Sequence, residues 1–201
     1  MVGARWLGRV VKGGCVLFVV AVLGLHAAQP ELSPLTDAVS YYAHGRHGGL
    51  LTLALAALGL GSLGLSALLS CARAGRAVSG GVALWGACLL LGAVFPADPR
   101  GSWSGPPSGT GLVHATAAMV GFLALPSAAL LRAVRSRAQV ALALCVAGSL
   151  ALFVASLWPT LGADRPPVLL GLSERVLLAA YAAWLWATAH ATAFDARRTS
   201  A

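Results

Sequence analysis

Six runs of apolar residues, each long enough to cross a lipid bilayer, constrain this chain more than any other feature in it. They cover Val10–Ala28, Leu50–Ser70, Val78–Val94, Gly111–Leu131, Val140–Leu157 and Val176–Thr192, and a crossing takes about 20 residues, with a range of about 17–25. Lipid offers backbone N–H and C=O groups no partner, so each run has to close its own hydrogen-bond ladder as an α-helix. The sequence therefore predicts an all-α polytopic membrane protein, a six-transmembrane-helix bundle forming one domain over residues 1–201. Composition agrees: 58% of the residues are hydrophobic and 10% charged, where a soluble domain carries about 25% charged residues. Water-soluble globular and disordered chains are both excluded.

The formal net charge of +8 does not indicate nucleic acid. The basic residues stand singly between apolar runs instead of forming a stripe. Placing the N-terminus in the cytoplasm assigns Arg5, Arg9, Lys12, Arg73, Arg76, Arg132, Arg135, Arg137, Arg197 and Arg198 to the inner side, and Arg46, Arg100, Arg165 and Arg175 to the outer side. That asymmetry obeys the positive-inside rule and predicts a cell membrane protein with both termini cytoplasmic. Of the acids, Glu31, Asp37, Asp98, Asp164 and Glu174 fall outside and Asp195 inside. The first run, preceded by basic residues and ending Leu25-His26-Ala27-Ala28, has the outline of a signal peptide. His26 occupies the position where a cleavage site needs a small residue, so a retained helix is expected.

Cys15, Cys71, Cys88 and Cys145 lie in spans or at their inner edges, which implies no disulfide framework. Ala57, Gly61, Gly64, Gly81 and Gly86 suit close helix packing, and Pro126 is expected to kink the fourth span. The exits Phe95-Pro96-Ala97-Asp98 and Trp158-Pro159 with Ala163-Asp164 form a weak internal echo at a period near 60 residues, either a repeat or coincidence.

The chemistry gathers at the outer ends of the spans, where loops carry function more often than scaffold. An ionisable group at a span usually faces the bundle interior and serves a purpose, which singles out His114. Its candidate partners are Asp98, Ser40, Asp37, Glu174, Arg175 and Arg100. The bland alternatives are an interfacial histidine holding helices together, a Glu174 anchored by the dipole of its helix, and an Asp98 bracing its own loop through Arg100. His44 and His47 have a His-x-x-His spacing, but zinc needs three or four converging ligands, so the sequence implies no cofactor and keeps a divalent metal as an alternative. Metalloprotease, phosphate-loop and dinucleotide motifs are absent.

The chain resembles the bacterial and archaeal six-span membrane proteins grouped as domain of unknown function 998. The resemblance rests on Leu32-Ser33-Pro34-Leu35-Thr36-Asp37-Ala38-Val39-Ser40, Phe95-Pro96-Ala97-Asp98, His114-Ala115-Thr116-Ala117-Ala118 and Gly171-Leu172-Ser173-Glu174-Arg175. It implies a six-helix bundle with no established activity. A more distant similarity to Frag1/DRAM-like proteins implies lipid and membrane handling. Three functions follow as expectations. The first is a protein binding membrane lipids or a membrane-protein partner in a polar outer-face pocket, with Asp37, Glu174, Arg175 and Arg100 as the binding set. The second is an outer-leaflet lipid-directed hydrolase with His114, Asp98 and Ser40 as its catalytic residues. The third is a small transporter or proton-coupled sensor.

Overall fold

The computed structural model describes residues 2–102, 105–133, 136–157 and 168–198. The described residues form α1 (Val2–Ala28), a short 3-10 helix (Val39–His44), α2 (Gly48–Cys71), α3 (Arg76–Val94), α4 (Gly109–Arg132), α5 (Arg137–Leu157) and α6 (Leu170–Arg198). All six α-helices are long and apolar enough to cross a membrane, and the chain is a multi-pass membrane protein. Each helix contains its expected span, and most extend past it. α6 gains the most in total, and on its N-terminal side buried Leu170, Ser173 and Glu174 draw its first turns into packed structure. Trp158-Pro159, Ala163–Pro166 and Arg135 lie outside the described residues, so half of the internal echo does too.

Sequence neighbours pack side by side from α1 to α6, and α6 closes the ring against α1 while also touching α2. Within its most apolar window α5 is 22% buried, against 39–50% for the other spans, so α5 is the helix most open to lipid. One end of the bundle holds the turn around Arg73 and the start of α5 at Arg137. The opposite end gathers the 3-10 helix, residues 95–102 and 105–108 and the start of α6, and is called the loop end below.

Small residues let the backbones approach, since nothing but packing and polar contacts drives apolar helices together in lipid. Gly59 on α2 and Gly86 on α3 face each other so closely that a Cβ built on either would stand 2.9 Å from the other's carbonyl oxygen. Gly81 meets the Ala124 carbonyl and Ala128 of α4 in the same way. Pro126 is buried within a continuous α4. It has no N–H, so the carbonyl four residues earlier, Phe122, loses its helical donor. The Tyr181 hydroxyl of α6 donates to that carbonyl at 2.7 Å. A sequence defect in one helix is thereby converted into a bond between two.

Candidate functional site

The start of α6 is pinned to the connection between α1 and α2. The Leu172 N–H donates to the Leu35 carbonyl at 3.0 Å, and Gly171 lies against the Pro34 and Asp37 carbonyls, where a side chain would collide with backbone. Arg175 is the hub of this joint. Its Nη1 donates to the carbonyls of Asp37 at 2.7 Å and Gly171 at 2.8 Å, its Nε to His26 Nε2 at 2.8 Å, and its Nη2 to the Tyr42 hydroxyl at 3.1 Å. A carbonyl only accepts, so His26 Nδ1, which contacts the Val22 carbonyl, carries the ring proton and leaves Nε2 as the acceptor for Arg175. His26 is thus a neutral imidazole with a defined tautomer.

Asp37 is buried behind the same joint. One carboxylate oxygen accepts from the Ser33 N–H at 2.8 Å and the other pairs with Arg100 Nε at 2.9 Å. Arg100 also reaches the Glu31 carbonyl at 3.4 Å. Asp37, Arg100 and Arg175 therefore form a brace that ties the loop-end segments together.

Glu174 points elsewhere. Its Oε2 accepts from the Val39 N–H at 2.7 Å, while the neighbouring Arg175 guanidinium is committed to His26, Asp37, Gly171 and Tyr42. Glu174 is 7% exposed, and among the described residues no cation forms a salt bridge with it. Burying a carboxylate is expensive, and the Val39 N–H and the nearby positive charge of Arg175 offset part of that cost. Tyr41, in the adjacent 3-10 helix, has its phenol raised above the ordinary range, first by burial and then by the negative charges of Glu174 and Asp37. It stays a neutral hydroxyl.

On the α3–α4 side the Phe95–Asp98 exit is held from three directions. His114 Nδ1 donates to the Phe95 carbonyl at 2.8 Å, and His44 Nε2 donates to the Ala97 carbonyl at 2.6 Å. The third restraint is Asp98 Oδ2, which accepts from the Ser108 N–H at 3.0 Å. Ser108 in turn caps α4, its hydroxyl accepting from the Gly111 N–H at 3.0 Å. The Asp98 carboxylate lies against Gly111, over the N-terminus of α4, where the helix dipole favours negative charge. With Nδ1 donating to a carbonyl, Nε2 is the ring's acceptor position and has no partner among the described residues.

Between these two polar arms lies a cavity of about 410 Å³. Ser40, Asp98, His114 and Glu174 all line it; Asp37, Arg100 and Arg175 do not. The remaining wall is mostly apolar, with Trp85 and Leu89 from α3, Phe122 from α4, Phe153 from α5 and Leu178 from α6. A side cavity of about 210 Å³ shares Ser40, Gly92 and His114 with it. The expected residues thus divide into four that face a common space and three that brace it from behind. Among the described residues no hydrogen bond joins Ser40, Asp98 and His114 to one another. Nor do three His, Cys, Asp or Glu side chains group there to hold a metal, and His44 and His47 are exposed.

Sequence reasoning missed the aromatic floor and Tyr41. Trp85 packs edge-on against Tyr181 with ring centroids 5.2 Å apart, and Phe122 does the same with Phe153 at 5.3 Å. Aromatic residues in spans concentrate at the membrane interfaces, so a Trp and a Tyr near mid-span were the available clue. Trp85 is 1% exposed, and its indole N–H has no acceptor among the described residues.

Neither a curated protein nor a solved structure matches the chain. A family profile matches residues 13–192, which run from within α1 to within α6. The chain belongs to the family DUF998, described as a protein of unknown function.

Proposed function

We propose that this protein sits in the cell membrane with both termini cytoplasmic and binds a membrane lipid in the cavity at its loop end, which faces outward. The observation that carries the reading is the cavity itself. It lies among membrane-spanning helices, its deep wall is aromatic and aliphatic, and its polar residues belong to one end. At about 410 Å³ it falls within the range of about 300–1,000 Å³ for small-molecule sites, which pair an apolar lining with a few placed polar groups. The cation asymmetry of the sequence puts that end on the outer side, within reach of the outer leaflet.

The test is identification by mass spectrometry of lipids that stay with the protein through purification in mild detergent. Ala118→Trp, which fills the cavity from α4, should strip a lipid that the wild type retains. Identical lipid complements would refute the reading. Topology is checked with a cysteine-free variant in intact cells: Glu31→Cys should react with a membrane-impermeant maleimide and Arg73→Cys should not.

A second reading, a lipid-directed hydrolase, draws support from Ser40, Asp98 and His114 lining the same cavity, with His114 Nε2 lacking a partner among the described residues. Against it, His114 Nδ1 is bonded to Phe95 and the Asp98 carboxylate to Ser108, so a serine–histidine–aspartate relay is not assembled in this state. Ester hydrolysis abolished by both Ser40→Ala and His114→Ala would favour it.

A further inference from the structure

The described residues that line the cavity include two carboxylates, Asp98 and Glu174, and no Lys or Arg. The two acids differ. Asp98 is satisfied by Ser108 and by the start of α4, whereas Glu174 has one hydrogen-bond donor, the Val39 N–H, and no salt bridge among the described residues. The third ionisable group, His114, offers an acceptor at Nε2 once Nδ1 is committed to Phe95. The polar mouth therefore has an excess of acceptors and negative charge. That excess is what a bound cation would relieve.

Building on the lipid-binding reading above, we propose that the ligand is a lipid carrying a primary ammonium head. The ammonium sits at Glu174. An anionic head is disfavoured by the two acids. A quaternary head is disfavoured because it has no N–H to give to Glu174.

The test uses the full chain in detergent and four probes with the same C12 tail, binding being read by native mass spectrometry. The probes are N-(2-aminoethyl)dodecanamide, dodecylammonium, N-(2-hydroxyethyl)dodecanamide and dodecanoate. Wild type should bind the aminoethyl amide at least tenfold tighter than dodecanoate. Glu174→Gln, which keeps an acceptor for the Val39 N–H, should erase the preference for ammonium over hydroxyl while still binding the hydroxyethyl amide. That retained binding shows the variant is folded. Equal binding of all four probes overturns the ammonium assignment and leaves a general lipid cavity. Failure of all four to bind overturns the lipid-binding reading itself.

Discussion

Tyr181 and Pro126 should be energetically coupled although they lie on different helices and their side chains play different parts. Proline at 126 leaves the Phe122 carbonyl without its helical donor, and the Tyr181 hydroxyl supplies the replacement at 2.7 Å. Tyr181 is fully buried, so in Tyr181→Phe no water takes over and the carbonyl is orphaned. An unsatisfied buried group costs about 1–3 kcal/mol, while measured interhelical hydrogen bonds in membranes average about 0.6 and reach about 1.7 kcal/mol. A single short, buried bond to a carbonyl with no alternative donor belongs at the upper end of the membrane range. The expected loss is therefore about 1–2 kcal/mol, a factor of roughly 5–30 in the folding equilibrium. In a Pro126→Ala background residue 126 regains its N–H and bonds Phe122 within α4. Tyr181→Phe should then cost about 0.5 kcal/mol or less. The double-mutant cycle isolates a coupling near 1 kcal/mol and cancels the helix-propensity gain of the alanine. Reversible unfolding in mixed micelles, titrated with sodium dodecyl sulfate and followed by far-ultraviolet circular dichroism, measures all four corners. Equal costs of Tyr181→Phe in the two backgrounds would refute the reasoning.

Arg175→Lys should destabilise by about 2–4 kcal/mol in the same assay, because an ammonium cannot serve the four planar, divergent bonds of the guanidinium. It should also increase proteolysis in the 29–47 connection that those bonds hold. Gly86→Val should cost about 1–3 kcal/mol by driving a side chain into the Gly59 carbonyl and Ser62 of α2. Gly80→Ala, on an open face of the same helix, should be neutral or slightly stabilising. Ser108→Ala should cost about 1 kcal/mol through loss of the α4 cap, and hydrogen exchange should rise at Gly111 before it rises elsewhere in α4. Unchanged exchange at Gly111 would show that the cap is dispensable.

The candidate site was legible in part. Asp98, His114 and Glu174 could be assigned to one end of the bundle because each sits near the end of an apolar run, and Ser40 because it lies in the connection between the first two runs; alternation of helix direction brings those ends together. Their pairing could not be read. His114 looked toward Asp98, yet the nearer acceptor for Nδ1 is the Phe95 carbonyl left at the end of α3. Asp98 and Arg100 are separated in sequence by Pro99 alone, yet Arg100 turns to Asp37. Glu174 and Arg175 are adjacent in sequence, but successive residues on a helix point about 100° apart, so one faces the cavity and the other the brace.

By itself, the sequence determined that six apolar runs become six spanning helices, since a bilayer permits no other way to satisfy a backbone. It also determined that the ionisable groups collect where those helices end. Tertiary structure decided which face of each helix looks inward, and with it the Gly59–Gly86 contact, the Tyr181–Phe122 bond and the aromatic floor under the cavity. The physical reason is rotational phase. A soluble helix shows its inner face as an apolar stripe. These spans are apolar on nearly every side, so their facing is chosen by close packing and a few polar bonds that exist only once all six helices are assembled.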